Sequence, residues 1–202
     1  MIKNYNKSLA LVLLSISLLL TGCINTIGMR SIATPDSLAK IMTPRFIAHG
    51  ANPVDVSNMT HAMYSSRVSS ANWTAKWNEL AKDYETKGVK NLEDNNIENA
   101  KFQLLKASVY YRTAAYPYPL DPAREKAAEK SLELFKQAIK FVNRPPEIVS
   151  ITSETKKITG YFRKPGLNQK VPLVILLPGI DSTKEEMYWV EEHFLDKGYA
   201  TF

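Results

Sequence analysis

The chain has 202 residues, of which 45% are hydrophobic and 23% charged, and its formal net charge is +6. This modest charge argues against nucleic-acid binding, because the lysines alternate with acidic residues along the sequence and do not gather into one basic stripe. The single cysteine excludes an intrachain disulfide and a cysteine-rich metal cluster, so packing alone must stabilise the fold.

The first 23 residues have the pattern of a bacterial lipoprotein signal. Lys3 and Lys7 precede an apolar stretch, Leu9 to Leu20, that is too short to span a hydrocarbon layer about 30 Å thick. The sequence Leu-Thr-Gly-Cys that follows resembles a lipobox and predicts that residues 1–22 are removed and Cys23 is acylated. The protein would then be held by lipid in the bacterial cell envelope, at the outer membrane if the cell is Gram-negative. The alternatives are an ordinary secretory signal with an incidental cysteine and an unprocessed anchor.

Residues 23–70 are predicted to form a lipid-anchored tether. They are rich in Ser, Thr, Asn, Ala and Met, and Pro35, Pro44 and Pro53 interrupt any long element. Short helices, such as Asp36 to Met42, fit between these prolines.

Residues 71–145 are predicted to form a block of three helices. In the first helix, Asn72 is a candidate cap, Gly88 follows the end, and apolar side chains recur at spacings of three and four. These side chains are Trp73, Trp77, Leu80, Ala81 and Tyr84. The second helix starts near Ile97 and ends before Pro117. The third runs from Pro122 to Val142, with Asp121 as its N-cap and Pro122 at its first position.

Residues 146–202 change to the pattern of an α/β fold. Ile148–Ile151 and Ile158–Phe162 are rich in β-branched and aromatic residues and predict an antiparallel hairpin. Val171–Leu177 is an apolar run typical of a strand buried on both faces of a parallel sheet. Lys184–Lys197 is a crossover helix that Gly198 ends, and Tyr199–Phe202 starts a further parallel strand.

The region from residue 72 onward resembles a known enzyme family. Val171–Phe202 is similar to the start of α/β-hydrolases. The helical block resembles the N-terminal helices of the FrsA-like branch, which includes esterases and 2,6-dihydroxypseudooxynicotine hydrolase. The motifs that carry this second resemblance are Trp73-x-x-x-Trp77, Tyr84 and Ala107-Ser108-x-Tyr110-Tyr111. The resemblance implies an α/β fold in which a three-helix cap-like segment precedes the opening strands and first crossover helix of an incomplete hydrolase sheet.

The resemblance also implies an oxyanion site at the turn after Leu177. In the family, a glycine at this turn is followed by backbone N–H groups that bind the oxyanion, and Gly179-Ile180-Asp181-Ser182-Thr183-Lys184-Glu185-Glu186 matches that pattern. A glycine lets the backbone approach a substrate without a Cβ in the way. Ile180 is the favoured donor, with Gly179 and Asp181 as alternatives. A purely structural reading stays open, in which the turn joins a strand to a helix and Asp181, Ser182 or Thr183 is the N-cap.

The machinery of a serine hydrolase is missing from these 202 residues. A nucleophile elbow needs two glycines four residues apart, and no two of the eight glycines have that spacing. His49 and His61 lie in loop-like sequence ahead of the helical block, and His193 reads as a partly buried imidazole in the crossover helix. No metal-ligand motif or phosphate-binding loop occurs, so we expect no metal and no cofactor. The nucleophile, acid and histidine are therefore expected beyond Phe202, and the chain is expected to be a fragment that is inactive alone.

Two functions fit these patterns. The first is the front part of a membrane-anchored hydrolase that cleaves an ester or carbon–carbon bond of a small apolar substrate. Its helices would cap the pocket, and Trp73, Trp77, Tyr110 and Tyr111 would be core residues or, less favoured, substrate contacts. The second is a non-catalytic lipoprotein whose helical hairpins bind a partner, as tetratricopeptide repeats do. The strand-rich tail favours the first, because a helical array does not need it.

Overall fold

The computed structural model describes residues 35–64, 70–116, 121–153, 156–166 and 169–202. Its helices are α1 (Pro35–Ala48), α2 (Pro53–Tyr64), α3 (Ser70–Glu93), α4 (Ile97–Ala115), α5 (Pro122–Ala138) and α6 (Tyr188–Asp196). Its strands are β1 (Glu147–Ser153), β2 (Lys156–Phe162), β3 (Leu173–Val174) and β4 (Ala200–Thr201). Short 3-10 helices follow α5, at Ile139–Phe141, and precede α6, at Lys184–Met187.

The core of the helical block is centred on α4, which packs against both α3 and α5. Trp77 and Tyr110 are fully buried and their rings stack 5.7 Å apart. On the other side of α4, the Ser108 and Ser131 hydroxyls each donate to the other residue's carbonyl at 2.8 Å, so two small side chains bring α4 and α5 close together. The four aromatic residues proposed as core or substrate contacts belong to the core cluster or pack against it.

Helix α3 is longer at both ends than the sequence predicts. Asn72 lies inside it and is not its cap, and Gly88 lies five residues before its end. The chain turns at Asn95, whose φ of 55° is one that asparagine tolerates better than most residues. Gly88 has a different task, because a Cβ there would come within 2.7 Å of the Leu104 side chain. The prediction that Gly88 follows the end of this helix was wrong because the glycine serves helix packing.

The predicted tether contains two helices that pack on the core. Met42, Phe46 and Val56 are buried in the same cluster as Trp77. Pro35 and Pro53 start helices, where the missing N–H costs no hydrogen bond, and Pro44 lies within α1. The description of residues 23–70 as a tether is therefore wrong for residues 42–60, because apolar side chains anchor them to the helical block.

Both ends of α4 and the start of α5 match the sequence predictions, but α5 ends at Ala138 and a 3-10 turn, Ile139–Phe141, replaces the last part of the helix predicted to reach Val142. Helix α5 starts at Pro122 with the Asp121 carboxylate accepting the Arg124 N–H at 3.0 Å, which is the predicted N-cap. Beyond α5, β1 and β2 form the predicted antiparallel hairpin, in which Glu147 pairs with Phe162 and Ser153 with Lys156.

Strands β3 and β4 are parallel, as predicted, and α6 connects them. Leu173 pairs with Ala200 and Val174 with Thr201. Backbone bonds between Arg163 and Thr201, both 3.0 Å long, join the end of β2 to β4. Helix α6 ends before Gly198, whose φ of 84° is the left-handed conformation expected there. This crossover is the α/β element that the sequence predicts.

The apolar run 171–177 is not buried on both faces as predicted. Its backbone pairs with the chain at 200–202 as far as Leu176, but Ile175 is 62% exposed and Leu177 is 85% exposed. Within the described part of the chain, no layer covers these side chains.

Candidate functional site

The turn after β3 presents a backbone donor to solvent. The Ser182 N–H donates to the Gly179 carbonyl at 3.0 Å and closes the turn. In a trans peptide, this carbonyl and the Ile180 N–H point in opposite directions. The bond from Ser182 therefore directs the Ile180 N–H away from the turn, and that N–H has no acceptor among the described residues. The Ile180 side chain is 90% exposed.

The other two predicted donors differ from Ile180. The N–H of Asp181 lies near its own carboxylate and helps lower the pKa of that group, after the larger effect of the Arg45 hydrogen bond. The space beside Gly179 is open: a Cβ there would meet only Asp181 Oδ1, at 3.6 Å, an ordinary contact. The turn thus has room for a ligand at Gly179 and a free donor at Ile180. The structural reading also holds, because Thr183 caps the following 3-10 helix.

Two arginines from different helices hold the far side of the turn. Arg112 of α4 and Arg45 of α1 both donate to the Asp181 carbonyl, at 2.6 and 3.0 Å. Arg45 also donates to Asp181 Oδ2 at 2.5 Å and to Ser182 Oγ at 2.6 Å. The Tyr116 hydroxyl contacts the same Asp181 carboxylate at 3.2 Å. These charge-assisted bonds fix the Asp181–Ser182 peptide against the helical block.

Glu186 is the second anchor of this segment. Its carboxylate accepts the Thr183 N–H at 2.7 Å and Arg112 Nε at 3.1 Å, and it contacts His49 Nδ1 at 3.1 Å. Burial by itself raises the pKa of Glu186, but the hydrogen bond with His49 and the positive charge of Arg112 outweigh it and lower that pKa. Glu186 is therefore the ionised partner that neutralises Arg112.

A cleft of about 450 Å³ lies beside the turn, between it and helices α4 and α5. Its walls are both apolar and charged. They include Arg112, Glu125, Ala128, Glu129, Ser131, Leu132, Ile180, Ser182, Thr183, Lys184 and Glu185. A small organic molecule in this cleft would contact the turn that carries the Ile180 N–H.

The other sequence candidates do not join this site. His61 and His193 are exposed, so the partly buried imidazole expected at His193 is wrong. Cys23 lies outside the described residues. Among the residues that the structure describes, no cluster of His, Cys, Asp and Glu could hold a metal ion. None of the described helices has the length and apolar character needed to cross a membrane.

Sequence reasoning missed most of the residues that hold the turn. Arg45 and His49 fall in the segment predicted to be a tether, 136 and 137 residues from their partners, and no local pattern marks them. Arg112 directly follows the Tyr110-Tyr111 pair of the helical motif, so its place in the aromatic-rich helix is the one signal that could have drawn attention to it.

Comparison with known proteins places the chain among hydrolases. Residues 55–201 match the family model described as "Esterase FrsA-like". The 2,6-dihydropseudooxynicotine hydrolase of Paenarthrobacter nicotinovorans is 28% identical over 148 residues, which are 73% of this chain and 40% of that protein. Esterase FrsA of Photobacterium profundum is 22% identical over 173 residues, 78% of this chain and 41% of the relative.

A solved structure extends the comparison to the fold. The crystal structure of the 2,6-dihydroxy-pseudo-oxynicotine hydrolase aligns with a TM-score of 0.64 and 27% identity, and the alignment covers 78% of this chain and 43% of that one. The described strands are few, as expected for part of an α/β-hydrolase sheet. The chain spans about two-fifths of the length of these relatives.

Proposed function

The chain belongs to the FrsA-like esterase family, and from that membership we propose that it is the front part of a serine hydrolase whose oxyanion site is the turn at Gly179, Ile180 and Asp181. The observation that carries the proposal is the Ile180 N–H, which points out of the turn beside an open cleft. The nucleophile, acid and histidine would lie outside these 202 residues, in the part of the relatives that the chain does not span.

The turn would act on the charge that develops during acyl transfer. When the nucleophile adds to the substrate carbonyl, the electron pair of the C=O bond moves to oxygen, and the resulting oxyanion needs a fixed donor about 3 Å away. One such donor contributes about 2.7–4 kcal/mol of transition-state stabilisation in a site shielded from water. The Ile180 N–H would supply it without reorganisation, because the Ser182 bond already sets the plane of its peptide.

The substrate we propose is a small, largely apolar ester or a compound with a cleavable carbon–carbon bond. A cleft of about 450 Å³ is within the range of about 300–1,000 Å³ that small-molecule sites occupy. The helical block would then serve as a cap over the site, with α4 and α5 forming one wall of the pocket. A helical-hairpin binding protein is the weaker candidate, since it accounts for neither the parallel β3–β4 pair nor the open turn.

We also propose that Cys23 anchors the enzyme to the bacterial envelope through lipid. The support is the order of basic residues, apolar stretch and Leu-Thr-Gly-Cys at the N-terminus. Replacing Cys23 with Ser should move the protein from the membrane fraction to the soluble fraction and abolish incorporation of labelled fatty acid. Unchanged fractionation and labelling would contradict the anchor.

The oxyanion proposal is tested by removing the Ile180 N–H and, in a separate control variant, changing only the Ile180 side chain. In the complete protein encoded by this reading frame, Ile180→Pro removes the N–H, and Ile180→Ala shortens the side chain but keeps the N–H. We expect Ile180→Pro to lower kcat for p-nitrophenyl esters by about 10²- to 10³-fold, and Ile180→Ala to stay within a few-fold of the wild type.

A second substitution blocks the approach of the substrate. Gly179→Val should abolish turnover although the protein still folds, because the first carbon of its side chain finds open space. Circular dichroism and thermal unfolding check that each variant is folded. Full turnover by folded Ile180→Pro and Gly179→Val proteins would remove the basis for placing the oxyanion site at this turn.

A further inference from the structure

We propose that Arg45 is a positioning residue for the oxyanion turn, a role that rests on the function proposed above. Arg45 lies on α1, ahead of the segment 55–201 that matches the family. With Arg112 it holds the Asp181 carbonyl, and through the Asp181–Ser182 and Gly179–Ile180 peptides, which one hydrogen bond joins, it sets the direction of the Ile180 N–H.

The connection runs through peptide planes. The Asp181 carbonyl and the Ser182 N–H belong to one peptide and point in opposite directions. Fixing that carbonyl with two guanidinium groups therefore aims the Ser182 N–H at the Gly179 carbonyl, to which it donates at 3.0 Å. The Gly179 carbonyl lies in the same peptide plane as the Ile180 N–H, so the bond from Ser182 also fixes that N–H. A rotation of the Asp181–Ser182 peptide would break the hydrogen bond from Ser182 to the Gly179 carbonyl, and the Ile180 N–H would then no longer be held in one direction.

The charges of the cluster are balanced, so the two arginines can approach the same carbonyl. Arg45 pairs with the Asp181 carboxylate at 2.5 Å, and Arg112 pairs with Glu186 at 3.1 Å. Each guanidinium is therefore neutralised by a different carboxylate of the turn segment. The carbonyl accepts both donors without leaving an uncompensated charge at the site.

Arg45 is suited to this task by its shape. Its planar guanidinium reaches the Asp181 carbonyl, the Asp181 carboxylate and the Ser182 hydroxyl together. A lysine ammonium is a compact point charge and does not reproduce this fork. The Arg45 side chain is 23% exposed, and its side-chain hydrogen bonds to the described residues all go to the turn. Its loss should therefore disturb the turn more than the core.

Arg144 is a matched control for Arg45. Its side chain is also 23% exposed and also pairs with carboxylates, Glu192 at 2.5 Å and Asp196 at 2.7 Å. These partners lie on α6, away from the turn. Replacing either arginine with Met removes the same charge and leaves a side chain of similar length.

The test compares Arg45→Met, Arg45→Lys and Arg144→Met in the complete protein. We expect Arg45→Met to lower kcat for a p-nitrophenyl ester by about 10- to 100-fold with a smaller change in KM, as for a displacement of about 1 Å at the site. Arg45→Lys should recover only part of the loss, and Arg144→Met should keep the wild-type kcat. Hydrogen–deuterium exchange of peptides covering 179–186 should increase in Arg45→Met and not in Arg144→Met.

Exchange separates a failure of this inference from a failure of the proposed function. If hydrogen–deuterium exchange at 179–186 is unchanged in Arg45→Met, Arg45 does not hold the turn and the inference is wrong, whatever the activity. If exchange increases in Arg45→Met but its kcat equals that of Arg144→Met, Arg45 holds the turn without positioning the donor, and the positioning role is wrong. If Ile180→Pro matches Ile180→Ala in turnover, the oxyanion function itself is wrong and the positioning role falls with it, while the exchange data still report whether Arg45 holds the turn.

Discussion

Gly88 of α3 lies directly against Leu104 of α4. A Cβ at position 88 would be 2.7 Å from Leu104 Cδ2 and 3.2 Å from the Leu104 backbone nitrogen. The two helices can approach this closely because residue 88 has no side chain. A glycine inside a helix normally weakens it, so its presence here reflects packing between helices.

Gly88→Ala should destabilise the protein. The gain in helix propensity is about 1 kcal/mol, but overpacking typically costs about 1–3 kcal/mol. The overpacking should win, because the two shortest contacts are with Leu104 Cδ2 and Cγ, at 2.7 and 2.8 Å, and this side chain is fully buried, so it cannot move without displacing its own neighbours. The difference between these two effects is a fall of up to about 2 kcal/mol in the free energy of unfolding, which we expect to see in urea denaturation.

A double-mutant cycle gives the control for this prediction. In a Leu104→Ala background the space beside residue 88 is partly empty, so adding Gly88→Ala should be neutral or stabilising there. If the Gly88→Ala single variant is more stable than the wild type, the contact between residue 88 and Leu104 does not limit how closely α3 and α4 pack.

Arg163→Met should destabilise the junction between β2 and α6. The Arg163 side chain is 1% exposed and pairs with Glu191, 7% exposed, at 3.2 Å, and it also binds Glu192. Removing it leaves a buried carboxylate without its cation, which typically costs about 3–5 kcal/mol. We expect a loss of this size in the free energy of unfolding near pH 7.

The pH dependence of that loss has a definite sign. Burial already raises the pKa of Glu191, against the opposing charge of Arg163, and the substitution should raise it further. The folded variant then binds a proton more tightly than the unfolded chain, so its stability falls as pH rises from the unfolded pKa, about 4.3, through the folded pKa. The deficit relative to the wild type should be smaller at pH 4.5 than at pH 7.5. Arg163→Met with Glu191→Gln should recover part of the loss at pH 7.5, and an equal deficit at both pH values would contradict this account.

The titration of Asp181 should report the Arg45 contact directly. The hydrogen bond from Arg45 is the main cause that lowers the pKa of this carboxyl. Its contribution to stability is therefore present above the unfolded pKa, about 3.9, and is lost as pH falls through the lower folded pKa. In a carbon-13 NMR titration, the Asp181 midpoint should rise in Arg45→Met and stay unchanged in Arg144→Met. An Asp181 midpoint that is the same in Arg45→Met and in the wild type would show that the Arg45–Asp181 ion pair does not form in solution.

Local sequence signals predicted the elements whose ends depend on nearby residues. Asp121 and Pro122 start α5 for local reasons. The Asp121 carboxylate accepts an N–H of the first turn, and Pro122 at the first position has no N–H that needs a partner. Gly198 ends α6 with a φ of 84°, and the enrichment in β-branched residues predicted the hairpin. The family resemblance, confirmed over residues 55–201, also depended on contiguous motifs.

Local signals failed where packing decided the outcome. The sequence pattern indicates a helix terminator at Gly88, but the contact with Leu104 keeps this glycine inside α3, and Asn95 makes the turn. Residues 42–60 have the composition of a tether because prolines and polar residues dominate them. Four apolar residues spread among them, Met42, Phe46, Ala51 and Val56, are nevertheless buried in the core. A short segment with three or four well-placed apolar residues folds only because a larger surface is there to receive them.

The sequence by itself located the turn from strand to helix, because a strand, a glycine and a capped helix are consecutive and each carries its own pattern. The resemblance to FrsA-like hydrolases then made this turn a candidate oxyanion site. Only the tertiary structure revealed what holds that turn. Arg45 lies 136 residues from Asp181, and hydrogen bonds of this kind depend on positions that helix packing brings within about 3 Å. Such distances have no counterpart in the spacing of residues along the chain.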